Sequence, residues 1–285
     1  MYVVAGVSGH VGSVVANELL SHGEKVKVLV RDAKKGTDWS KKGAEVGVAS
    51  LDDAKALATA LKGAKGFFTL LPPNYDVKNG FYAMQRKTAD AIAAAVKEAG
   101  VPHVVLLSSV GADLAEGNGP IKGLHHLENA LRATGTQLTA VRAGYFQENI
   151  GNSLAPAKNA GIFPNMTPNA DYPMPMIATR DIGTVAAYEL MFPSAKSEIV
   201  DLHGPAYSVR QGAEKLGAAL GKKLQVVDIP AAGHVKAMTD AGMPQEIAEA
   251  FAEMYAGFAS GKIVPKGDRL KTGSTTIDTV IKAMV

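Results

Sequence analysis

Three glycines near the start of the chain are spaced for phosphate chemistry. Gly6, Gly9 and Gly12 stand in Gly6-Val7-Ser8-Gly9-His10-Val11-Gly12, after the apolar run Val3-Val4-Ala5 and before an amphipathic segment. Between a strand and a helix, Gly6 would take the tight bend and Gly9 would let backbone approach a pyrophosphate. Gly12 would let helix and sheet pack closely. Ser8, His10 and Val11 fill the spaces, and a helix opening near His10 aims free N–H groups and its positive dipole end at the phosphates. The spacing G-x-x-G-x-x-G differs from G-x-G-x-x-G but keeps three positions without a side chain. Arg31 ends the next apolar run, 19 residues past Gly12. A carboxylate there would read a ribose 2′-hydroxyl, whereas a guanidinium suits a 2′-phosphate through charged, forked hydrogen bonds. The plainer reading of Arg31 is a solvated strand end. Asp32 beside it either reads the ribose or, the preferred reading, caps the following turn.

Further along, Leu71, Pro72 and Pro73 stop a strand where backbone could line an adenosine and its ribose; a plain strand stop is the alternative. Ser108 and Ser109 end another strand with hydroxyls able to orient a carboxamide or carbonyl, although serine also terminates strands for local reasons. His125 and His126 open a helix, and imidazole titrates near neutrality, so either is a candidate proton donor. Two ordinary helix residues would give the same pattern. Lys122, upstream, contacts either a cofactor phosphate or solvent. Tyr145, Phe146 and Asn149 follow a strand and are candidates to roof a reacting ring, or belong to the core. Phe163, Met174 and Met176 are candidates for an aromatic and methionine-lined pocket. The seven histidines show no metal-ligand spacing and cysteine is absent, so no metal, disulfide or thiolate chemistry is expected.

These groups need a scaffold, and the hydrophobic pattern supplies one. Strands are expected near residues 3–5, 25–30, 44–49, 66–71 and 103–107, with helices at about 10–20, 52–61 and 80–99 between them. Such alternation predicts a doubly wound parallel sheet with helices on both faces and ligand contacts at the C-terminal ends of the strands. A helix at about 124–133 and a strand around 139–141 continue it. Beyond Ala143 the alternation weakens, and Gly161–Pro164 and Tyr172–Pro175 read as loops. The chain therefore divides into a dinucleotide-binding domain over 1–150, to which about 176–205 return, and a mainly substrate-binding lobe over 151–285. Hydrophobic residues at 47% support a sizeable core, and a net charge of +3 with no basic cluster gives no reason to expect nucleic acid as a partner. No apolar run approaches the ~20 residues of a membrane span, and the short apolar start reads as a strand rather than a signal peptide. A soluble cytoplasmic protein, monomer or homodimer, is the expectation.

Several of these stretches together resemble the NmrA-like branch of the atypical short-chain dehydrogenases/reductases. They are the glycine turn, Val30-Arg31-Asp32, Leu107-Ser-Ser-Val-Gly111 and Glu128-Asn-Ala-Leu131-Arg-x-Thr134-Gly135. Arg142-Ala-Gly-Tyr145-Phe-x-Glu148-Asn149, Arg180-Asp-Ile-Gly183 and Leu202-x-Gly204-Pro205 follow in the family's order. The resemblance implies a Rossmann-type α/β fold binding NADP(H), with a smaller C-terminal α/β lobe shaping the substrate pocket. With Arg31 it favours NADPH over NADH. It also implies a cofactor contact at Leu51, where Ser50 replaces a frequent aspartate. The nearest likeness within the family is to quinone, azo-dye and triphenylmethane reductases. Family members that only sense the NADP(H) state share the same motifs.

One signature of the wider superfamily is missing. No lysine stands four residues after any of the eight tyrosines, so the Tyr-x-x-x-Lys proton relay is absent. The expected activity is hydride transfer from NADPH to a small, flat, electron-poor aromatic substrate such as a quinone, azo compound or quinoid dye. Such a substrate can take its proton from water after hydride arrives. A non-enzymatic NADP(H)-sensing regulator is the alternative, and a sugar-nucleotide epimerase, which needs the missing pair, is disfavoured.

Overall fold

A computed structural model describes all residues, 1–285. The first half of the chain forms β1 (Tyr2–Val4), α1 (His10–Ser21), β2 (Val26–Val30), α2 (Thr37–Lys41), β3 (Glu45–Val48), α3 (Ala54–Leu61), β4 (Gly66–Leu70), α4 (Phe81–Ala99), β5 (His103–Ser109), α5 (Lys122–Arg132) and β6 (Gln137–Ala143). The second half adds β7 (Tyr145–Phe146), α6 (Leu154–Ala160), β8 (Ile162–Asn165), β9 (Met174–Ile177), α7 (Thr179–Met191), β10 (Glu198–His203), β11 (Ala206–Tyr207), α8 (Val209–Ala219) and β12 (Gln225–Asp228). It ends with α9 (His234–Asp240), α10 (Gln245–Ala259), β13 (Arg269–Thr272) and α11 (Ile277–Lys282).

Eight strands form one sheet in the order β13-β10-β6-β5-β4-β1-β2-β3, and every pairing within it is parallel. The central strands β1, β4, β5 and β6 are largely apolar on both sides because both faces are covered. Alternation then sorts the side chains: Val4, Phe68 and Val105 enter the core under α1 and α7, while Val3, Phe67, Val104 and Leu106 enter the core under α3, α4 and α5. Phe67 and Phe68 are fully buried, so truncating either to alanine would cost about 3–5 kcal/mol. The chain order reverses between β1 and β4, which places the ligand crevice of such a sheet there. No helix is long and apolar enough to cross a membrane.

Two smaller sheets, β11-β9-β7 and β12-β8, form the lobe above one end of the large sheet. Its core gathers Ile150, Ala157, Phe163, Met176, Ala213, Leu216, Ile277 and Ile281. Two segments expected as loops are strands here. In β8 the carbonyls of Gly161 and Asn165 bond to Gln225 and Ile229 across the ladder. Pro164, one residue out of phase, turns its missing N–H outward, and β8 has a neighbour on one side only. Pro175 of β9 sits opposite Ala206 in a short antiparallel pair, and β9 is the central strand of its sheet, with β7 on its other side. Both α7 and β10 pack with the large sheet, as does β13, a segment the sequence grouped with the lobe.

Candidate functional site

The glycine turn has the shape its sequence implies. Gly6 sits at φ +69°, and a Cβ there would lie 2.5 Å from the Leu70 Cδ2 methyl. A Cβ on Gly12 would overlap the Gly6 carbonyl and come within 2.6 Å of the Ala5 oxygen. At Gly9 the nearest atom to such a Cβ is the Gly6 oxygen at 3.4 Å, so this position opens onto free space. Gly9 is the N-cap of α1 and no side chain caps the helix, which leaves the first-turn N–H groups facing that space. Ser8 and His10 are exposed beside it, and Val11 is buried in the core below. The cradle fits a pyrophosphate in size and polarity.

At the end of β2 the two charged neighbours have separate fates. Asp32 caps the short turn Ala33–Gly36 by accepting from the Lys34 N–H at 3.0 Å, so the capping reading holds. Arg31 is exposed and makes no ion pair or hydrogen bond. Beyond β3, the Ser50 hydroxyl bonds to Asp52 and holds its carboxyl below the usual range, with Lys87 and Arg31 adding their charges. Ser50 is thus turned toward its own loop, and half-buried Leu51 presents its apolar side chain beside it. Leu71 and Pro72 follow β4 at the same edge of the sheet, and Leu71 packs close to Gly123 of α5.

Where β5 and β6 end, the polar groups are tied to each other. The Ser108 hydroxyl donates to Glu128 at 2.7 Å, and Arg142 clamps the same carboxylate at 2.9 and 2.7 Å. Burial alone would lower the Arg142 guanidinium, but its bonds to Glu128 outweigh that and raise it. Ser109 donates to the Val110 carbonyl. Neither serine therefore has its hydroxyl proton free for a ligand, and their contribution to the crevice is backbone.

The helix-head histidines, candidates for a proton donor or for two ordinary helix residues, are also engaged. His125 Nδ1 donates to the Ala112 carbonyl at 2.9 Å and its Nε2 accepts from Asn129 at 3.1 Å. His126 Nε2 lies 2.5 Å from Asp90 on α4, bridging two helices on one face of the sheet. Lys122 lies over the Tyr82 ring, 5.4 Å from its centroid.

Tyr145 is half-buried at the rim of the lobe, with Asn149 beside its hydroxyl and Tyr255 near by. Phe146 packs toward the sheet core and Met174 toward the lobe core. Phe163 and Met176 are buried in the lobe core. Glu148 caps α7, accepting from the Thr179 N–H and hydroxyl. That bond ties α7 to the turn after β7, and the close approach of Gly183 to Val14 sets α7 against α1, with Thr179 and Arg180 beside His10 in a surface cleft of about 500 Å³.

The sequence offered no sign of α10 as a site element. It is laid against the β5–α5 loop where a Cβ on Gly119 would overlap the Ala250 carbonyl and one on Gly257 would lie 2.5 Å from the Gly117 oxygen. Two of its carboxylates fasten it: Glu246 caps α4 through Gly80 and Phe81, and Glu253 accepts from Gly117. Tyr255 on this helix packs edge-on against His234, with ring centroids 5.5 Å apart.

Comparison with known proteins agrees with this architecture. The NmrA-like family model matches residues 2–282. The NAD(P)H azoreductase of Xenophilus azovorans is 29% identical over 260 residues, covering 90% of this chain and 86% of that protein. An NADPH-dependent quinone oxidoreductase from Escherichia coli, solved with NADPH, superposes with a TM-score of 0.83 at 20% identity, covering 100% of this chain and 99% of the other. The Citrobacter triphenylmethane reductase solved with NADP(H) gives 0.81 at 20% identity, with both chains covered in full. With the glycine cradle at the switch point of an eight-stranded parallel sheet and the family pattern spanning nearly every residue, the chain belongs to the NmrA-like family.

Proposed function

We propose that the protein is an NADPH-dependent reductase that passes hydride to a flat, electron-poor acceptor of the quinone, azo or quinoid-dye type. The observation that carries this reading is the pairing of an open glycine cradle with an unpaired Arg31 whose acidic neighbour is already committed to a cap. The named activities of the relatives point the same way. Gly6–Gly12 and the first turn of α1 would hold the pyrophosphate, Arg31 the 2′-phosphate, and Leu51, Leu71 and Pro72 the adenosine side. The backbone of Ser108 and Ser109 and the Tyr145 ring would border the nicotinamide. When bound, NADPH supplies a hydride from C4 of its nicotinamide.

The protein's share is orientation and exclusion of water. Tyr-x-x-x-Lys is absent and both candidate imidazoles are engaged, which favours acceptors whose reduced form takes its proton from solvent. Simple ketones, whose alkoxide needs an acid in the transition state, fit less well. The decisive experiment is a single turnover of protein-bound NADPH against a panel of quinones and azo dyes, followed at the nicotinamide absorbance. Rapid oxidation by some member is the expected outcome. Tight NADPH binding with no oxidation by any of them would make the protein a cofactor sensor instead.

A further inference from the structure

Two helices far apart in sequence, α1 and α7, open side by side on one face of the large sheet. A Cβ on Gly183 would lie 2.5 Å from the Val14 Cβ and 2.9 Å from the Val11 carbonyl oxygen, so α7 runs in close backbone contact with the start of α1. Further along, the Thr184 hydroxyl donates to Glu18 at 3.2 Å. Gly183 against Val14 and Thr184 against Glu18 make the two helices parallel. Their first turns therefore meet at the same level, with Thr179 and Arg180 beside His10 and Ser13 in the cleft of about 500 Å³.

Arg180 is the only guanidinium or ammonium group lining that cleft. It is exposed and makes no ion pair or hydrogen bond. The carboxylates around it are engaged elsewhere. Asp181, its chain neighbour, accepts from the Thr275 N–H at 2.9 Å and the Thr275 hydroxyl at 2.6 Å. Glu148 is taken by Thr179. Glu18 lies two turns down α1, about 12 Å along the axis from His10. Beside Arg180, the first turn of α1 has no side-chain cap. An unpaired guanidinium next to free helix N–H groups is complementary to a phosphate.

Resting on the NADPH reading above, we propose that Arg180 is a second cofactor-binding cation, holding the pyrophosphate of NADP(H) from the α7 side of the glycine cradle. Arg31 serves the 2′-phosphate from the β2 side, so the two guanidiniums divide the cofactor's charges between them. Arg31 distinguishes NADPH from NADH, whereas Arg180 grips a group that both dinucleotides carry.

The test measures NADP⁺ and NAD⁺ binding by calorimetry for the wild type, Arg180→Gln and Arg31→Ala. Glutamine keeps a polar side chain and removes the charge, and an unpaired exposed residue can be replaced with little change in melting temperature. Arg180→Gln is expected to weaken both dinucleotides by the same factor, about tenfold. Arg31→Ala should weaken NADP⁺ alone. The loss at Arg180 should shrink as salt rises from about 0.05 M to about 0.5 M, because exposed charges are screened. Wild-type affinity for both dinucleotides in Arg180→Gln overturns the assignment. So does a loss confined to NADP⁺, which would move the guanidinium to the 2′-phosphate, or a loss that salt leaves unchanged. If Arg180→Gln binds normally while the wild type oxidises NADPH with a quinone, the role of Arg180 falls and the reductase reading stands. If it loses both dinucleotides but no quinone oxidises the bound NADPH of the wild type, the role of Arg180 stands and the reductase reading falls. No dinucleotide binding by the wild type overturns both.

Discussion

The two sides of the crevice are built by different means. On the cofactor side, the glycine cradle, Arg31 and Asp32 lie within 27 residues of one another, Gly6 to Asp32, in a single strand–helix–strand unit. Its recognition groups are mostly backbone, and its shape depends on side chains being absent. On the proposed substrate side, Tyr145 and Met174 come from separate strands, β7 and β9, of the lobe. The helix α10 is held over the β5–α5 loop by a cap and a close backbone approach, Glu246 on α4 and Gly119 beneath Ala250. A site made of local backbone tolerates change elsewhere in the chain, whereas one made by convergence depends on the joints beneath it.

The largest expected effect comes from breaking the main joint. Glu128 and Arg142 are 3% and 4% exposed and fasten α5 to β6 just below Tyr145. Glu128→Ala strands the buried guanidinium with only Asp113, at 3.8 Å, and should destabilise the fold by about 3–5 kcal/mol in urea unfolding. Well below the transition, NADPH affinity should survive better than substrate turnover. Equal loss of both would erase the distinction between the two sides.

The next effect is the converse. At Gly9 a side chain has room in the protein and none beside a pyrophosphate, so Gly9→Val should leave the melting temperature nearly unchanged. NADPH binding by calorimetry should weaken by about 100-fold or more, roughly 2.7 kcal/mol. Normal binding by the folded variant would mean that the phosphates lie elsewhere. Arg31→Ala sharpens the same side: a charged hydrogen-bonded contact is worth about 1.5–3 kcal/mol, a factor of roughly 10–150, and NADPH alone should feel it. A matching loss for NADH would remove the 2′-phosphate role.

Legibility follows the same division. The glycine turn, the apolar strands β1, β2, β4 and β5, and the cap at Asp32 are readable because each is decided by neighbours in sequence. The edge strand β13 is not, since Arg-Leu-Lys-Thr carries one apolar residue. Its two cations are matched across the fold by Glu189 and Glu198, with Arg269 2.6 Å from the first and Lys271 also 2.6 Å from it. Pro164 hides β8 because proline suits a strand only where its missing N–H faces a free edge, and Pro175 masks β9 although that strand is paired on both sides. Residues 245–259 read as an ordinary amphipathic helix, and only the contacts with Gly80 and Gly117 show where α10 packs.

The smallest expected effect concerns the histidines, whose position at a helix head suited a proton donor and whose contacts do not. The acceptors that occupy them, Ala112 and Asp90, lie 13 and 36 residues away, beyond any local pattern. His125 would have to surrender the Ala112 carbonyl before its Nδ1 proton became available, and its Nε2 carries none while it accepts from Asn129. His126 is paired with a half-exposed carboxylate on α4, a link worth about 0.2–1 kcal/mol to stability. Glutamine at either position should therefore lower quinone turnover less than about tenfold, with a slightly reduced melting temperature for His126→Gln. A positioned general acid contributes roughly 10²–10⁴-fold, so the outcomes are well separated. A fall of that size at His125 with NADPH binding intact would show that the ring leaves Ala112 during turnover. Carbonyl substrates that need an acid would then return to consideration, and the substrate side would depend on a residue that moves, not only on groups that converge.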